Sequence, residues 1–465
     1  MKGRSIRVKK IEISDFKNVK SGILNLENSR KPYKANILGL YGQNGSGKTA
    51  VVDALALLKL ALQGKQIPSW YTDYINIDAS HAVLSFQFEM KQFDYVCNIW
   101  YQFELARAID EISTESDDNS EKFKAVIRNE VLSFSYVSGD TKIRKSPLID
   151  TRTEEVFVPR TKYEELLGGS DQHVTDYLVM KKYVQLTSRS FIFSKEMVNQ
   201  FRKFCTNEVY MDIINSLKRF GERELFIINT ETSGLISLNA LPLAFKYPEE
   251  GKETFGNLMI PLDESSYIPE DAENVARKVI ENMNIVLQQI VPGLTIGIKE
   301  LSEVVLNDGK VGKNIQLMSL KNGKAISFKY ESDGIKKIVS VLQLLIAVYN
   351  HPSVTVAIDE LDAGIFEYLL GEILHIIAEK GKGQLIFTSH NLRPLETIDK
   401  GFIAFTTTNP SNRYIRMANV KGNNNLRDFY YRDIVLGEQS ESVYSPTNNS
   451  GIALAFREAG EAFGS

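Results

Sequence analysis

Eight consecutive residues constrain this chain more than any others. Gly42-Gln43-Asn44-Gly45-Ser46-Gly47-Lys48-Thr49 reads glycine, four residues, then glycine-lysine-threonine. The run before it, Ile37 to Tyr41, is apolar and of strand length, and after it Val51, Val52, Leu55, Leu58 and Leu62 recur at helical spacing. Glycines at a strand-to-helix junction let successive backbone N–H groups turn inward around a phosphate. The helix that follows aims its positive N-terminus at the same group. In this arrangement Lys48 reaches the β- and γ-phosphates of a nucleotide, and Thr49 offers a hydroxyl to Mg²⁺. Gly42, Asn44, Gly45, Ser46, Gly47, Lys48 and Thr49 are therefore the expected nucleotide-binding residues, with Thr49 also on the metal.

A second motif lies some three hundred residues later. Val354 to Ile358 is an apolar strand that ends in Asp359 and Glu360. Carboxylates released at the C-terminal end of a buried strand enter the crevice where open α/β sheets bind ligands. Asp359 is expected to hold Mg²⁺, directly or through water, and Glu360 to polarise the attacking water as general base. Thr388-Ser389-His390 ends the next strand, and a histidine there can contact the γ-phosphate or the water, as a second catalytic residue. His81, His173, His351 and His375 have no such context and read as structural.

The rest of the chain places these motifs. Short strands are expected around Ile11, Ile13 and Gly22 to Leu26, and a strand pair at Leu84 to Glu89 and Tyr95 to Phe103. Asp110 to Glu121 reads as a solvated acidic loop. From about Arg160 to Arg223 the chain turns mainly helical and polar, without a heptad pattern, and reads as an inserted lid or arm. Pro242, Pro248, Pro261 and Pro269 are expected to break the chain repeatedly. Glu270 to Ile290 is an amphipathic helix stopped by Pro292 and Gly293. Hairpin turns are expected at Asn307-Asp308-Gly309 and Asn322-Gly323. Helices at Ser332 to Tyr349 and Phe366 to Lys380 then alternate with strands at Val354 to Ile358 and Gln384 to Thr388, which predicts a mainly parallel sheet.

Composition narrows the setting. The 465 residues have a formal net charge of -3, so no whole-chain electrostatic footprint for nucleic acid exists. Cys97 and Cys205 lie far apart and form no zinc or disulfide framework, which fits a reducing cytoplasm. The basic start has no apolar stretch behind it, and the longest apolar run, around Ile338 to Tyr349, is too short and polar to span a bilayer. A cytoplasmic protein with no membrane partner is expected.

The order of motifs resembles the ABC-type ATPases of the SMC, RecF and OLD group. Lys10-Ile11-Glu12-Ile13-Ser14-Asp15-Phe16-Lys17-Asn18 is similar to their first strand and turn. The resemblance covers roughly 1–105 and 295–410, and it implies ATP and Mg²⁺ as cofactors. Leu361-Asp362-Ala363-Gly364 takes the position of that group's D-loop, which puts Asp362 among the nucleotide-contacting residues. Glu331-Ser332-Asp333-Gly334 suits an ordinary helix N-cap. It also resembles a degenerate ABC signature that keeps its serine-x-glycine, and then Ser332 and Gly334 bind the γ-phosphate of ATP held by a second subunit. The resemblance therefore implies a head-to-head dimer or higher homo-oligomer. Gln87 is a weak candidate for the Q-loop, with strand packing as the other reading.

Within the group the chain looks most like the compact ATPases of bacterial anti-phage systems, of the AbiL ATPase and PARIS AriA type, on Glu360 to Tyr368 and the tail Asn423 to Asp433. Such proteins work with a nuclease or toxin. About seventy residues follow His390 without a clear acidic nuclease cluster, so the effector would be a separate chain. The expected fold is α/β, an ABC-type P-loop ATPase head with a mixed sheet plus an inserted mainly helical lid or arm. The expected divisions are 1–150 (P-loop half of the head), 151–290 (lid or arm) and 291–465 (signature, Asp359-Glu360 strand, His390 and tail). The first functional expectation is a slow ATPase that acts as sensor or scaffold in anti-phage defence, answering a phage-derived trigger. A RecF-like repair ATPase that binds DNA directly is the alternative. Arg202, Lys203, Lys218, Arg219 and Arg223, interleaved with Phe201, Phe204 and Phe220, are the candidate DNA patch. A transporter subunit is the weakest reading.

Overall fold

A computed structural model describes residues 4–28, 33–92, 94–110, 123–139, 141–153, 160–169, 174–229, 240–249, 252–305, 311–418, 425–437 and 439–461. The expected acidic loop and the Asn307-Asp308-Gly309 turn fall largely or wholly outside them, as does His173.

The architecture is mixed α/β. One sheet is antiparallel, in the order β2 (Val19–Asn25), β1 (Ser5–Phe16), β4 (His81–Lys91), β5 (Val96–Ile109), β6 (Phe123–Ser138) and β7 (Thr141–Asp150). Along β4 buried and half-buried residues alternate strictly, as expected where one sheet face is packed and the other is partly wet. The second sheet runs β18 (Tyr414–Ile415), β17 (Ile403–Thr406), β3 (Asn36–Tyr41), β16 (Gln384–Thr388), β15 (Thr355–Ile358) and β8 (Leu225–Ile228). All of its pairings are parallel except that of β17 with β18. Its short central strands are buried throughout, as parallel strands covered on both faces are.

Helix α1 (Lys48–Gln63) lies between the sheets. That explains why it is buried almost all round rather than along one stripe. Leu55 and Leu58 are fully buried, and each contributes about 2 kcal/mol of apolar burial. Gly64 ends the helix in a left-handed conformation, its N–H returning to the carbonyls of Ala61 and Leu60.

The helical stretch comprises α2 (Arg160–Leu167), α3 (Val174–Leu186), α4 (Lys195–Phe204) and α5 (Glu208–Arg219), followed by a π-helical turn over Phe220–Glu224. Between α4 and α5 the helix breaks where the Asn207 side chain accepts the Val209 N–H as a new N-cap. These helices do not stand free of the head. Met197, Phe201, Ile213 and Leu217 are buried in the same core as α1 and the antiparallel sheet. β8 then pairs with β15, so the core sheet takes a strand from inside the stretch 151–290.

The prolines expected to break the chain sit in strands. Pro242, Pro248 and Pro261 belong to a two-stranded ribbon of β9 (Ala240–Glu249) and β10 (Lys252–Pro261). Each strand of a lone pair has one free edge, where a missing N–H costs no ladder bond.

Helix α6 spans Glu270–Ile290 as the periodicity predicts, with Ala276, Ile280, Met283 and Leu287 buried. A further antiparallel sheet joins β11 (Ser266–Pro269), β12 (Leu294–Val305), β13 (Val311–Lys321) and β14 (Lys324–Ser327). Asn322 and Gly323 turn β13 into β14 with φ of 50° and 76°, the positive pair a two-residue hairpin requires. Helices α7 (Asp333–Asn350) and α8 (Glu367–Lys380) pack in the second core, on the face of the parallel sheet away from α1. The chain closes with α9 (Leu426–Leu436) and α10 (Asn449–Glu461). No helix among the described residues is long and apolar enough to cross a membrane.

Candidate nucleotide site

The strand order sets the site. β3 ends in the glycine loop, β15 ends in Asp359 and Glu360, and β16, lying between them, ends at Thr388. All three run in the same direction. Their C-terminal ends therefore open on one side, where a crevice forms. A cavity of about 940 Å³ lies there, and its lining includes Lys48, Thr49, Asp359, Glu360 and His390. Residues more than three hundred positions apart in sequence thus meet in one space.

The loop is bent as a phosphate cradle needs. Gly42, Gly45 and Gly47 have φ of 151°, 72° and 91°. A side chain on Gly42 would collide with Thr406, whose Oγ1 lies 1.8 Å from where the Cβ would be. Ser46 Oγ donates to the Gln43 carbonyl at 2.6 Å and meets Thr406 Oγ1. Two strain sources act at Gly42, a clash and a φ unsuited to side chains. Gly42→Ala should therefore lower unfolding stability by about 3 kcal/mol. Chemical denaturation of the two proteins checks this, and equal midpoints would show that the loop is not held against β17 as described.

Lys48 is buried, and its ammonium donates to the carbonyls of Gly42 at 2.8 Å and Gln43 at 2.9 Å. Burial lowers its pKa, while Asp359, Glu360 and Asp362 pull it back up, in that order of strength. Asp359 is buried and accepts a hydrogen bond from Thr388 Oγ1. The same Thr388 Oγ1 accepts from the Glu360 N–H at 2.8 Å. Glu360 has φ of 48°, a left-handed conformation that a non-glycine residue adopts at a cost of about 1–3 kcal/mol. That strain exposes its carboxylate at the cavity.

The donor set suits a hard divalent cation. Thr49 offers a hydroxyl and Asp359 a carboxylate at the same cavity, and Mg²⁺ prefers few protein oxygens with phosphates and waters completing its shell.

Not every expected residue lines the cavity. Asp362 does not; its Oδ2 accepts the N–H groups of His390 at 3.1 Å and Asn391 at 2.9 Å, so it shapes the His390 loop from behind. Ser332 and Gly334 also lie outside the lining. Ser332 stands at the N-cap position of α7 but its side chain makes no cap bond, and the residue is exposed. The bland capping role is therefore not the one its hydroxyl fills here. Gln87 sits in the middle of β4 opposite Trp100 and Lys10, outside the lining.

Sequence reasoning missed several residues. Tyr414 OH donates to the Gly47 carbonyl at 2.8 Å, Asn18 Nδ2 donates to the Gly45 carbonyl, and Arg413 donates to the carbonyls of Asn18 and Thr407, each at 2.6 Å. These contacts brace the loop from the β1–β2 turn and from β17–β18. Lys17, Asn76, Asp78 and Arg107 line the far side of the cavity. Lys17 and Asn18 close the Lys10–Asn18 stretch singled out in the sequence, whereas Asn76, Asp78, Arg107, Arg413 and Tyr414 belong to no local motif, so no short sequence window signals those five.

The candidate DNA patch does not assemble as expected. Phe201 and Phe220 are fully buried, and stacking on bases needs an exposed ring face. Lys218 pairs with Glu222 and Arg219 with Glu224. Arg202 and Lys203 are exposed.

No protein-family description matches this chain, and no curated protein matches it. Among solved structures it is similar to an SMC head bound to the C-terminal winged-helix domain of ScpA, at 11% identity over 88% of this chain and 97% of that one, with a TM-score of 0.37. The SMC head domain from Thermotoga maritima aligns at 13% identity over 88% of this chain and 99% of that one, with a TM-score of 0.35. RecF with ATP aligns at 13% identity over 83% and 94%, with a TM-score of 0.33. At these identities and scores the likeness carries no function across.

Proposed function

We propose that this chain is a Mg²⁺-dependent ATPase of the ABC type that acts as sensor or scaffold in bacterial anti-phage defence and controls a separate nuclease or toxin chain. One observation carries the ATPase reading: Lys48, Thr49, Asp359, Glu360 and His390 line a single cavity. The defence role is supported by the resemblance of Glu360 to Tyr368 and of the tail at 423–433.

ATP with Mg²⁺ supplies the γ-phosphoryl group and the charge that activates it. The chain's own groups divide the remaining work. The loop N–H groups and Lys48 hold phosphate oxygens, and Thr49 and Asp359 hold the metal. Glu360 accepts the proton of the attacking water at its carboxylate. His390 faces the same space and orients that water. Ser332 and the first turn of α7, outside the cavity, serve the γ-phosphate bound by a second copy.

Ser332→Arg tests the shared site. It should leave ATP binding by the single head intact, abolish ATP-dependent association, and cut turnover by about 100-fold or more. Light scattering with and without ATP, beside a phosphate-release assay, reads both, and unchanged association and turnover refute the trans role. The effector role is tested by affinity purification from the native host. A co-purifying nuclease or toxin supports it. Salt-sensitive DNA binding by the isolated protein, with no such partner, points to direct action on DNA instead.

A further inference from the structure

We propose that Asp53 is a positioning residue of the nucleotide site: its buried carboxylate fixes the turn at Lys17 and Asn18, on which the phosphate loop leans. The inference rests on the reading of the cavity as a nucleotide site. Direct contacts carry it.

Asp53 lies on α1 one turn beyond Thr49 and is only 1% exposed. A carboxylate this buried is nearly always paired. Here both oxygens are engaged. Oδ2 forms an ion pair with Lys17 Nζ at 2.5 Å. Oδ1 accepts from Asn229 Nδ2 at 3.2 Å, just past the end of β8. The second bond keeps the carboxylate from turning away from Lys17. Asn229 is anchored in turn, because the carbonyl of Ile228 beside it accepts the Asp359 N–H at 2.7 Å.

Lys17 is held at three further points. Its N–H donates to the Tyr74 carbonyl at 2.6 Å, its carbonyl accepts from Asn76 Nδ2 at 2.8 Å, and its ammonium lies 3.9 Å from the centre of the Tyr74 ring. Its backbone has φ of 52°, a left-handed conformation that a lysine adopts at a cost. Such strain persists only where the surroundings over-determine it, and it clusters at functional sites. Lys17 itself lines the cavity.

The next residue transmits the restraint. Asn18 also lines the cavity, and its Nδ2 donates to the Gly45 carbonyl in the middle of the phosphate loop. Where a Cβ on Gly45 would stand, no atom of the described residues comes within 4 Å. Packing on that side therefore does not fix the loop, and the Asn18 bond does. A closed ring results. The chain runs from Gly45 through Thr49 into α1, α1 presents Asp53, Asp53 holds Lys17, and Asn18 returns to Gly45. Open the ring at Lys17, and the loop keeps its glycine bend but loses its fixed setting against the N-terminus of α1.

The test is titration of full-length variants with a fluorescent ATP analogue, with unfolding temperatures measured throughout. Lys17→Met keeps an unbranched side chain over Tyr74 and removes the charge. It should weaken binding about 10-fold. Asn18→Ala should do the same, and Lys17→Met/Asn18→Ala should weaken binding by less than the product of the two, because both open one ring. Asp53→Leu alone leaves the Lys17 charge without its carboxylate and should unfold at a lower temperature. Asp53→Leu/Lys17→Met replaces both charges by apolar groups. Its unfolding temperature should recover, while its binding stays as weak as that of Lys17→Met. A merely structural pair would restore affinity together with stability. Binding within about twofold of wild type in Lys17→Met, fully additive losses with Asn18→Ala, or affinity restored along with stability in Asp53→Leu/Lys17→Met each overturn the proposal. Lys48→Ala is the control on the site itself. Equal binding by wild type and Lys48→Ala removes the nucleotide reading and this inference with it, whereas Lys48-dependent binding that Lys17→Met leaves unchanged removes the inference alone.

Discussion

Glu360→Gln is expected to lower ATP turnover by about 10²- to 10⁴-fold, the usual contribution of a positioned general base, and to leave ATP binding in place. The substitution keeps side-chain size and removes the basic oxygen. It also spares the turn: the backbone at Glu360 is held by its N–H on Thr388 Oγ1, a bond that does not involve the carboxylate. With binding intact and hydrolysis blocked, the dimer proposed above should accumulate. Size-exclusion chromatography with Mg-ATP reads that accumulation, and a phosphate-release assay reads the rate. Hydrolysis at the wild-type rate would remove Glu360 from the role of base.

Lys48→Ala is expected to weaken ATP binding by roughly 10²- to 10⁴-fold. A hydrogen bond to a charged group contributes about 1.5–3 kcal/mol, and Lys48 is placed to reach two phosphates. Its burial sharpens the expectation, because the ammonium is already seated at the loop by the carbonyls of Gly42 and Gln43. The variant leaves the carbonyls of Gly42 and Gln43 without their present donor. Circular dichroism should accompany titration with a fluorescent ATP analogue, so that a collapsed loop is not mistaken for a lost contact. Affinity within about threefold of wild type would mean that the loop does not hold phosphate through this residue.

Much of the site was legible in the sequence because its chemistry is local. Gly42 to Thr49 encodes its own bend, since glycine alone takes these backbone angles cheaply. The apolar strand ending in Asp359 and Glu360 announces a buried strand that releases acids. His390 follows one strand later, and the structure brings Asn44 to Thr49, both acids and His390 to one cavity, with Gly42 outside its lining.

What the sequence hid depends on partners that are not neighbours in the chain. Thr388 seats both acids through one hydroxyl, and nothing in its own window distinguishes it from any threonine at a strand end. Thr406, Arg413 and Tyr414 brace the phosphate loop largely through backbone carbonyls, a role that many side chains can play. β8 was absorbed into the expected helical arm because four apolar residues after a helix show no period of their own. Only pairing with β15 makes them a strand of the head.

The sequence by itself determined the two local devices of the proposed site, the glycine loop and the paired acids, because short-range backbone sterics and strand burial specify them. The tertiary structure alone decided that β16 lies between β3 and β15, so that Lys48, Glu360 and His390 share one cavity while Ser332 lies outside it. It alone set the first turn of α7, at Gly334, against Gly364. The physical reason is the same in both cases. Strand order and helix docking are set by burial summed over the two cores, and no short window of residues carries that sum.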